Sequence, residues 1–201
     1  MSGRIVILNG PPRAGKSSIA AAMQRDLPGQ WINLGVDAQN RTLPPALLPG
    51  IGLRPGGERP DLEPNVTPLY LALYDAIAAH ARAGFDVVAD LGHHDDYSRP
   101  LGILPQCARR LAGLPVLFVG VDCPIETIMA RRNADPQNGH YLGGDTVPPP
   151  VLRWQSAVHV PGIYDLRVDT GALTPEACMA AIAAALSNPP RPSAFEILAG
   201  D

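Results

Sequence analysis

Residues 10–17 read Gly-Pro-Pro-Arg-Ala-Gly-Lys-Ser, and they constrain this chain more than any other stretch. The pattern is GxxxxGK[ST]. It lies between an apolar, β-branched run (residues 4–9) and a segment of helical periodicity (residues 15–27) that Pro28-Gly29 ends. A strand that enters such a loop and leaves as a helix turns backbone N–H groups inward. The positive end of the helix dipole backs them, and together they suit the phosphates of a nucleotide. Gly10 and Gly15 allow that close approach because they lack a Cβ. In this reading Gly10, Pro11, Pro12, Arg13, Ala14, Gly15, Lys16, Ser17 and Ser18 bind the nucleotide. Lys16 neutralises the β- and γ-phosphates, and the Ser17 hydroxyl sits on Mg²⁺. Composition singles out the same position. Of 16 lysine and arginine residues, only residue 16 is lysine. A compact ammonium on a flexible stem is not interchangeable with a guanidinium fork. Arg13 has two readings, in contact with the β-phosphate or turned to solvent.

The rest of the chain alternates in kind. Strands are predicted at residues 31–35, 86–91, 116–121 and 165–169, and helices at 68–83, 105–111, 123–133, 151–158 and 175–186. Thr67-Pro68 and Thr174-Pro175 read as helix starts. Such alternation predicts an α/β fold, a five-stranded parallel sheet between two helical layers. Residues 38–68 and 134–150 are rich in Pro and Gly, the second as part of a lid over roughly 131–150. The domain is expected to span 1–187. Three prolines in residues 188–201 predict a loosely attached tail. Ligands of such sheets bind at the carboxyl ends of strands. Asp37, Asp90, Asp122 and Asp169 all lie at or near those ends.

Several classes are excluded. A net charge of −3 with 5% aromatic residues is a poor basis for nucleic-acid binding. No apolar run approaches the ~20 residues of a membrane span, and the N-terminus lacks the build of a signal peptide, so a cytoplasmic location is expected. Cys107, Cys123 and Cys178 form no CxxC pair and predict neither a disulfide framework nor a zinc site. GTPases read their base with Asn-Lys-x-Asp, which cannot occur here without a second lysine. What is left is a small kinase.

The residues then resemble a known family, the chloramphenicol phosphotransferase-like proteins among the P-loop kinases. Ile7-Leu8-Asn9-Gly10 running into Ala14-Gly15-Lys16-Ser17 carries the resemblance, with Leu34-Gly35-Val36-Asp37, Val119-Gly120-Val121 and Cys123-Pro124. Arg131-Arg132, His159, Tyr164-Asp165 and Val168-Asp169-Thr170 also match, over residues 4–186. The resemblance implies a nucleoside-monophosphate-kinase-like P-loop fold. It implies that Asp37 takes the proton of an acceptor hydroxyl, and it names chloramphenicol as an acceptor. A carboxylate after the second strand also reads independently as lying across from the γ-phosphate. A structural reading, a helix or turn cap, stands beside it. Asp90 is a candidate for Mg²⁺ through water, for contact with the acceptor, or for a loop cap. Arg132 is expected as the lid arginine that folds over the γ-phosphate, with Arg131 in reserve and Arg153 as a further source of charge. The family usually carries more basic residues just past this point. Residues 133–148 here have none, and His140 is the nearest substitute. The family also usually has a small residue where this chain has Arg13.

The expected activity is therefore ATP- and Mg²⁺-dependent phosphoryl transfer to a hydroxyl of a small molecule, chloramphenicol or a related antibiotic or metabolite. Two alternatives stand against it. One is a nucleotide-binding regulator without catalysis. The other is a metal-dependent hydrolase built on His93-His94-Asp95-Asp96. Oligomeric state is not legible, and two Asn-x-Thr triplets, at Asn40 and Asn65, carry no meaning in a cytoplasmic chain.

Overall fold

A computed structural model describes residues 2–135 and 144–200. Five parallel strands form one sheet in the order β2-β3-β1-β4-β5. They are β1 (Ile5–Asn9), β2 (Trp31–Asn33), β3 (Asp86–Leu91), β4 (Val116–Asp122) and β5 (Leu166–Asp169). The central strand β1 is buried along its whole length between β3 and β4, with Asn9 opposite Leu91 and Gly120. Its side chains alternate between two cores, as a strand covered on both faces requires. Ile5 and Ile7 point into one with α3 (Glu63–Arg82), α4 (Ile103–Arg110) and α8 (Ala194–Ala199). Val6 and Leu8 point into the other with α1 (Lys16–Asp26), α5 (Ile125–Ala134) and α7 (Pro175–Ser187). The result is the three-layer α/β sandwich that the alternation predicts. Two shorter helices, α2 (Val36–Asn40) and α6 (Pro149–Ala157), border the carboxyl end of the sheet.

Helix α3 begins at Glu63, not at Pro68. Pro68 lies within the helix, and Pro64 occupies its first turn. Proline is tolerated that early because few N–H groups of a first turn have intrahelical partners. Buried Glu63 anchors the start by accepting the Ser98 backbone N–H (2.9 Å) and hydroxyl (3.0 Å).

The C-terminal tail is the larger correction, because it is packed against the core. Ser193 and Glu196 form a reciprocal capping box at the start of α8. Phe195 meets Phe118 edge-on at 5.1 Å and stacks with Tyr74 at 6.3 Å. The Asp165 carboxylate accepts the backbone N–H groups of both Phe118 and Ala194, each at 2.7 Å, tying the tail to β4. Prolines 189, 190 and 192 shape the approach to this helix; they do not keep it from packing. Among the described residues no helix is long and apolar enough to cross a membrane.

Candidate active site

The loop after β1 wraps a cavity of about 840 Å³ at the carboxyl end of the sheet. Gly10 has no room for a side chain, since a Cβ there would lie 2.4 Å from the Val121 carbonyl oxygen. Arg13 and Gly15 have positive φ angles of 68° and 86°. The outer side of the loop is tied down. Thr170 donates its hydroxyl to the Ala14 carbonyl (2.7 Å), and Arg131 donates to the Arg13 carbonyl (3.1 Å). A trans peptide points its N–H opposite its C=O, so a carbonyl held outward turns the next amide toward the cavity.

Lys16 is half-buried and donates to the carbonyls of Gly10 (2.7 Å) and Pro11 (2.8 Å). Burial pushes its pKa down to about 8, against the opposing pull of Asp90 and Asp37. The Ser17 hydroxyl donates to Asp90 Oδ2 at 2.6 Å. Burial raises the Asp90 carboxyl above the usual carboxylate range, despite help from Ser17 and Lys16. Asp37, in the first turn of α2, lines the same cavity. It also shares a second cavity of about 180 Å³ with Ser17 and Asp90. Gly35 makes this approach possible, because a Cβ at that position would fall 1.5 Å from Asp90 Oδ1. The structure thus brings Lys16, Ser17, Asp37 and Asp90 together around one space. Ser17, Asp90 and Asp37 are hard oxygen donors, a set that fits Mg²⁺ rather than a softer metal.

The arginines separate. Arg131 and Arg132 both line the large cavity, as does Arg13. Arg131 is committed to the scaffold, donating to the Arg13 carbonyl, to Cys123 Sγ and twice to Thr170. Arg132 is buried, and burial together with Arg13 lowers its pKa. Arg153 is not on the cavity. It pairs at 3.4 Å with Glu58, which also pairs with Arg54 at 3.3 Å. Of the expected lid, residues 136–143, His140 included, lie outside the described residues.

The other strand-end aspartates have structural partners. Asp122 forms a two-pronged ion pair with Arg167, and Asp169 accepts the Gly171 N–H at 2.8 Å. His93 and His94 are buried and diverge. His93 Nε2 meets the Tyr74 hydroxyl at 2.8 Å, and His94 Nε2 meets the Leu53 carbonyl at 2.9 Å. Asp95 accepts the N–H groups of Leu101 and Gly102. These rings serve the core, and no group of three or more His, Cys, Asp or Glu side chains that could hold a metal occurs among the described residues.

The apolar residues that line the cavity, Val36, Ile51, Leu91, Val151 and Trp154 with Asn40 beside them, were not singled out one by one by sequence reasoning. One signal was available. Trp154 is one of only two tryptophans in an aromatic-poor chain. It packs edge-on to His94 at 5.1 Å, and a Cβ on Gly92 would lie 3.0 Å from its ring.

Solved structures share the fold at low identity. The Mycobacterium tuberculosis APS kinase, in complex with AMPPNP and APS, superposes with a TM-score of 0.61 at 18% identity, covering 93% of this chain and 99% of that one. A sugar kinase from Janibacter sp. HTCC2649 gives 0.61 at 19%, covering 94% and 96%. Shikimate kinase from Acinetobacter baumannii gives 0.60 at 12%, covering 93% and 95%. No curated protein sequence matches the chain. The model of one family, described as chloramphenicol phosphotransferase-like protein, matches residues 3–187, nearly the whole chain. With its loop, its parallel sheet and this match in agreement, the protein belongs to the chloramphenicol phosphotransferase-like family and has the fold of the P-loop kinases.

Proposed function

We propose that the protein is an ATP-dependent O-phosphotransferase acting on a hydroxyl of a small molecule, with chloramphenicol and related antibiotics or metabolites as the acceptor class. The observation that carries this reading is the shared cavity, which the phosphate loop, Asp37 and the apolar side chains of Val36, Ile51 and Trp154 line together. The loop amides and Lys16 bind the phosphates of ATP. Asp37 accepts the proton of the acceptor hydroxyl as its oxygen attacks the γ-phosphorus. The bond from that phosphorus to the β–γ bridging oxygen breaks, and ADP leaves. Ser17 and Asp90 would hold Mg²⁺, which supplies charge neutralisation to the phosphates when bound. Val36, Ile51 and Trp154 hold the apolar body of the acceptor and exclude water. An acceptor that is an antibiotic would make the activity a resistance activity. Three free, buried cysteines are in keeping with a cytoplasmic setting.

The test is mass spectrometry of a panel of hydroxyl compounds, chloramphenicol among them, incubated with ATP, Mg²⁺ and the protein or its Asp37→Asn variant. One compound gaining one phosphoryl group, with no gain for the variant, is the expected result. ATP binding without transfer to any compound would sink the chloramphenicol assignment and favour the nucleotide-binding regulator.

A further inference from the structure

Phosphoryl transfer needs a cation at the terminal phosphoryl group, where negative charge redistributes as the bond to ADP breaks. Kinases of this size commonly supply it from the lid. In this chain no lysine or arginine occurs between Arg132 and Arg153. Arg153 is paired with Glu58 off the cavity, and Arg131 is spent on Thr170, Cys123 and the Arg13 carbonyl.

Besides Arg54 and Arg132, which also line the cavity, the phosphate loop carries a guanidinium of its own. Arg13 lines the cavity beside Lys16, with only 20% of its side chain exposed. Its φ of 68° places a side chain where glycine is the usual occupant. Its guanidinium rests on Asp135, donating to the backbone carbonyl at 2.8 Å and approaching the carboxylate at 3.4 Å. That carboxylate is 47% exposed. An ion pair so long and so wet holds weakly. A polyphosphate offers more charge and the paired oxygens that a guanidinium fork grips best.

We propose that Arg13 is a catalytic arginine built into the phosphate loop, which exchanges the Asp135 carboxylate for the terminal phosphoryl oxygens when ATP binds. This rests on the kinase reading above. Arg132, buried nearby, then keeps its charge close to the same oxygens, and the two guanidinium groups are relieved of mutual repulsion by the anion between them. The arrangement does from the loop what an arginine finger does from a lid or a partner.

Arg13→Gly is the informative variant, because glycine accepts the positive φ and the loop keeps its path. Expected are an unchanged or higher melting temperature without nucleotide, ADP affinity within about threefold of wild type, and ATP affinity lowered about tenfold. Transfer of the γ-phosphoryl group, to the panel's acceptor or to water, should fall about 10³-fold. Arg13→Lys should recover part of that loss, and free guanidinium ion should stimulate Arg13→Gly but not wild type. Asp135→Asn, which weakens the resting contact, should raise ATP affinity severalfold. Equal losses for ADP and ATP, turnover within twofold of wild type, or Asp135→Asn reproducing the Arg13→Gly loss would each overturn the proposal. If wild type transfers phosphate to nothing, the kinase reading falls. The ATP-over-ADP preference, read by calorimetry, still reports on Arg13.

Discussion

The two ends of the cavity are built in opposite ways. The phosphate end is nine consecutive residues, 10–18, on one strand–loop–helix turn. Its groups are largely pre-engaged, with Lys16 on the Gly10 and Pro11 carbonyls and the outer carbonyls on Arg131 and Thr170. The apolar end, the proposed acceptor side, is drawn from α2, a 3₁₀ turn at Gly50–Gly52, the end of β3 and α6, so it runs from Val36 to Trp154 in sequence. Backbone geometry makes the first end, whereas separate side chains make the second. That difference explains why a fold can keep its nucleotide and change its acceptor. Ser17, Asp37 and Asp90 line both the large cavity and the smaller one beside it.

If the ends are separable, single substitutions will split nucleotide binding from chemistry. Asp37→Asn is expected to lower turnover by about 10²- to 10⁴-fold, the usual worth of a general base, with ATP affinity within about threefold of wild type. Lys16→Ala removes the ammonium beside the phosphate loop and should lower both. Calorimetry with ATP beside the transfer assay reads the split. Asp37→Asn weakening ATP as much as Lys16→Ala does would mean that the cavity is one indivisible site.

Gly35→Ala probes the place where the ends join. Its backbone is extended, with φ −95° and ψ −172°, so the obstacle is space and not conformation. The new Cβ would collide with the Asp90 carboxylate, and α2 must move away. We expect turnover to fall by at least about tenfold and the fold to lose about 1–3 kcal/mol, as overpacking usually costs. Intact turnover with the same stability loss would uncouple the Asp37–Asp90 spacing from the chemistry.

The same contrast governs what the sequence made legible. The phosphate loop is contiguous, so its pattern, its flanking strand and its helix could be read directly. That Asp37 would lie near the phosphate loop was legible from the Leu-Gly-Val-Asp segment, though not its closeness to Asp90, which depends on Gly35 packing against a strand more than 50 residues away. Residues paired across the chain left no local trace. Thr170 supports Ala14 across 156 residues, and nothing near either one announces it. Arg131 stood in reserve behind Arg132 as a lid arginine, and its scaffold role was not legible because its partners come from three other segments. The tail is a different kind of miss. The capping box from Ser193 to Glu196 and the apolar pair Phe195 and Leu198 were in plain view, but the prolines before them were given more weight. Phe195→Ala should cost about 3–5 kcal/mol, as emptying a buried aromatic site does, while ATP affinity at low temperature stays as it was.

On the acceptor side, Trp154→Phe is a gentler cut. It keeps an aromatic ring against His94 and shortens the wall. Expected is a rise of a few-fold in KM for the acceptor, with KM for ATP unchanged, since the partial loss of one ring's contact in an apolar pocket is worth about 0.5–1 kcal/mol. An equal rise in both constants would place the indole within reach of the nucleotide.

The smallest expected signal belongs to the phosphate side and has a definite sign. Lys16 titrates near pH 8 in the nucleotide-free protein because burial opposes its charge. The unfolded chain keeps its ammonium protonated until about pH 10.4. Between those values the unfolded state holds a proton that the folded state has released, so raising pH through this window favours the nucleotide-free fold at this site. Phosphates reverse the balance by restoring a counter-charge, which draws the Lys16 pKa back up. Binding ATP at pH 9 should therefore take up at most about nine-tenths of a proton, against about one-tenth at pH 7. The affinity itself should weaken towards tenfold per pH unit above pH 8. Calorimetry in buffers of different ionisation heat counts that proton, and Lys16→Met should abolish the difference between the two pH values. An equal count at both, in wild type, would mean that Lys16 stays charged in the empty loop and that its two carbonyl contacts outweigh burial.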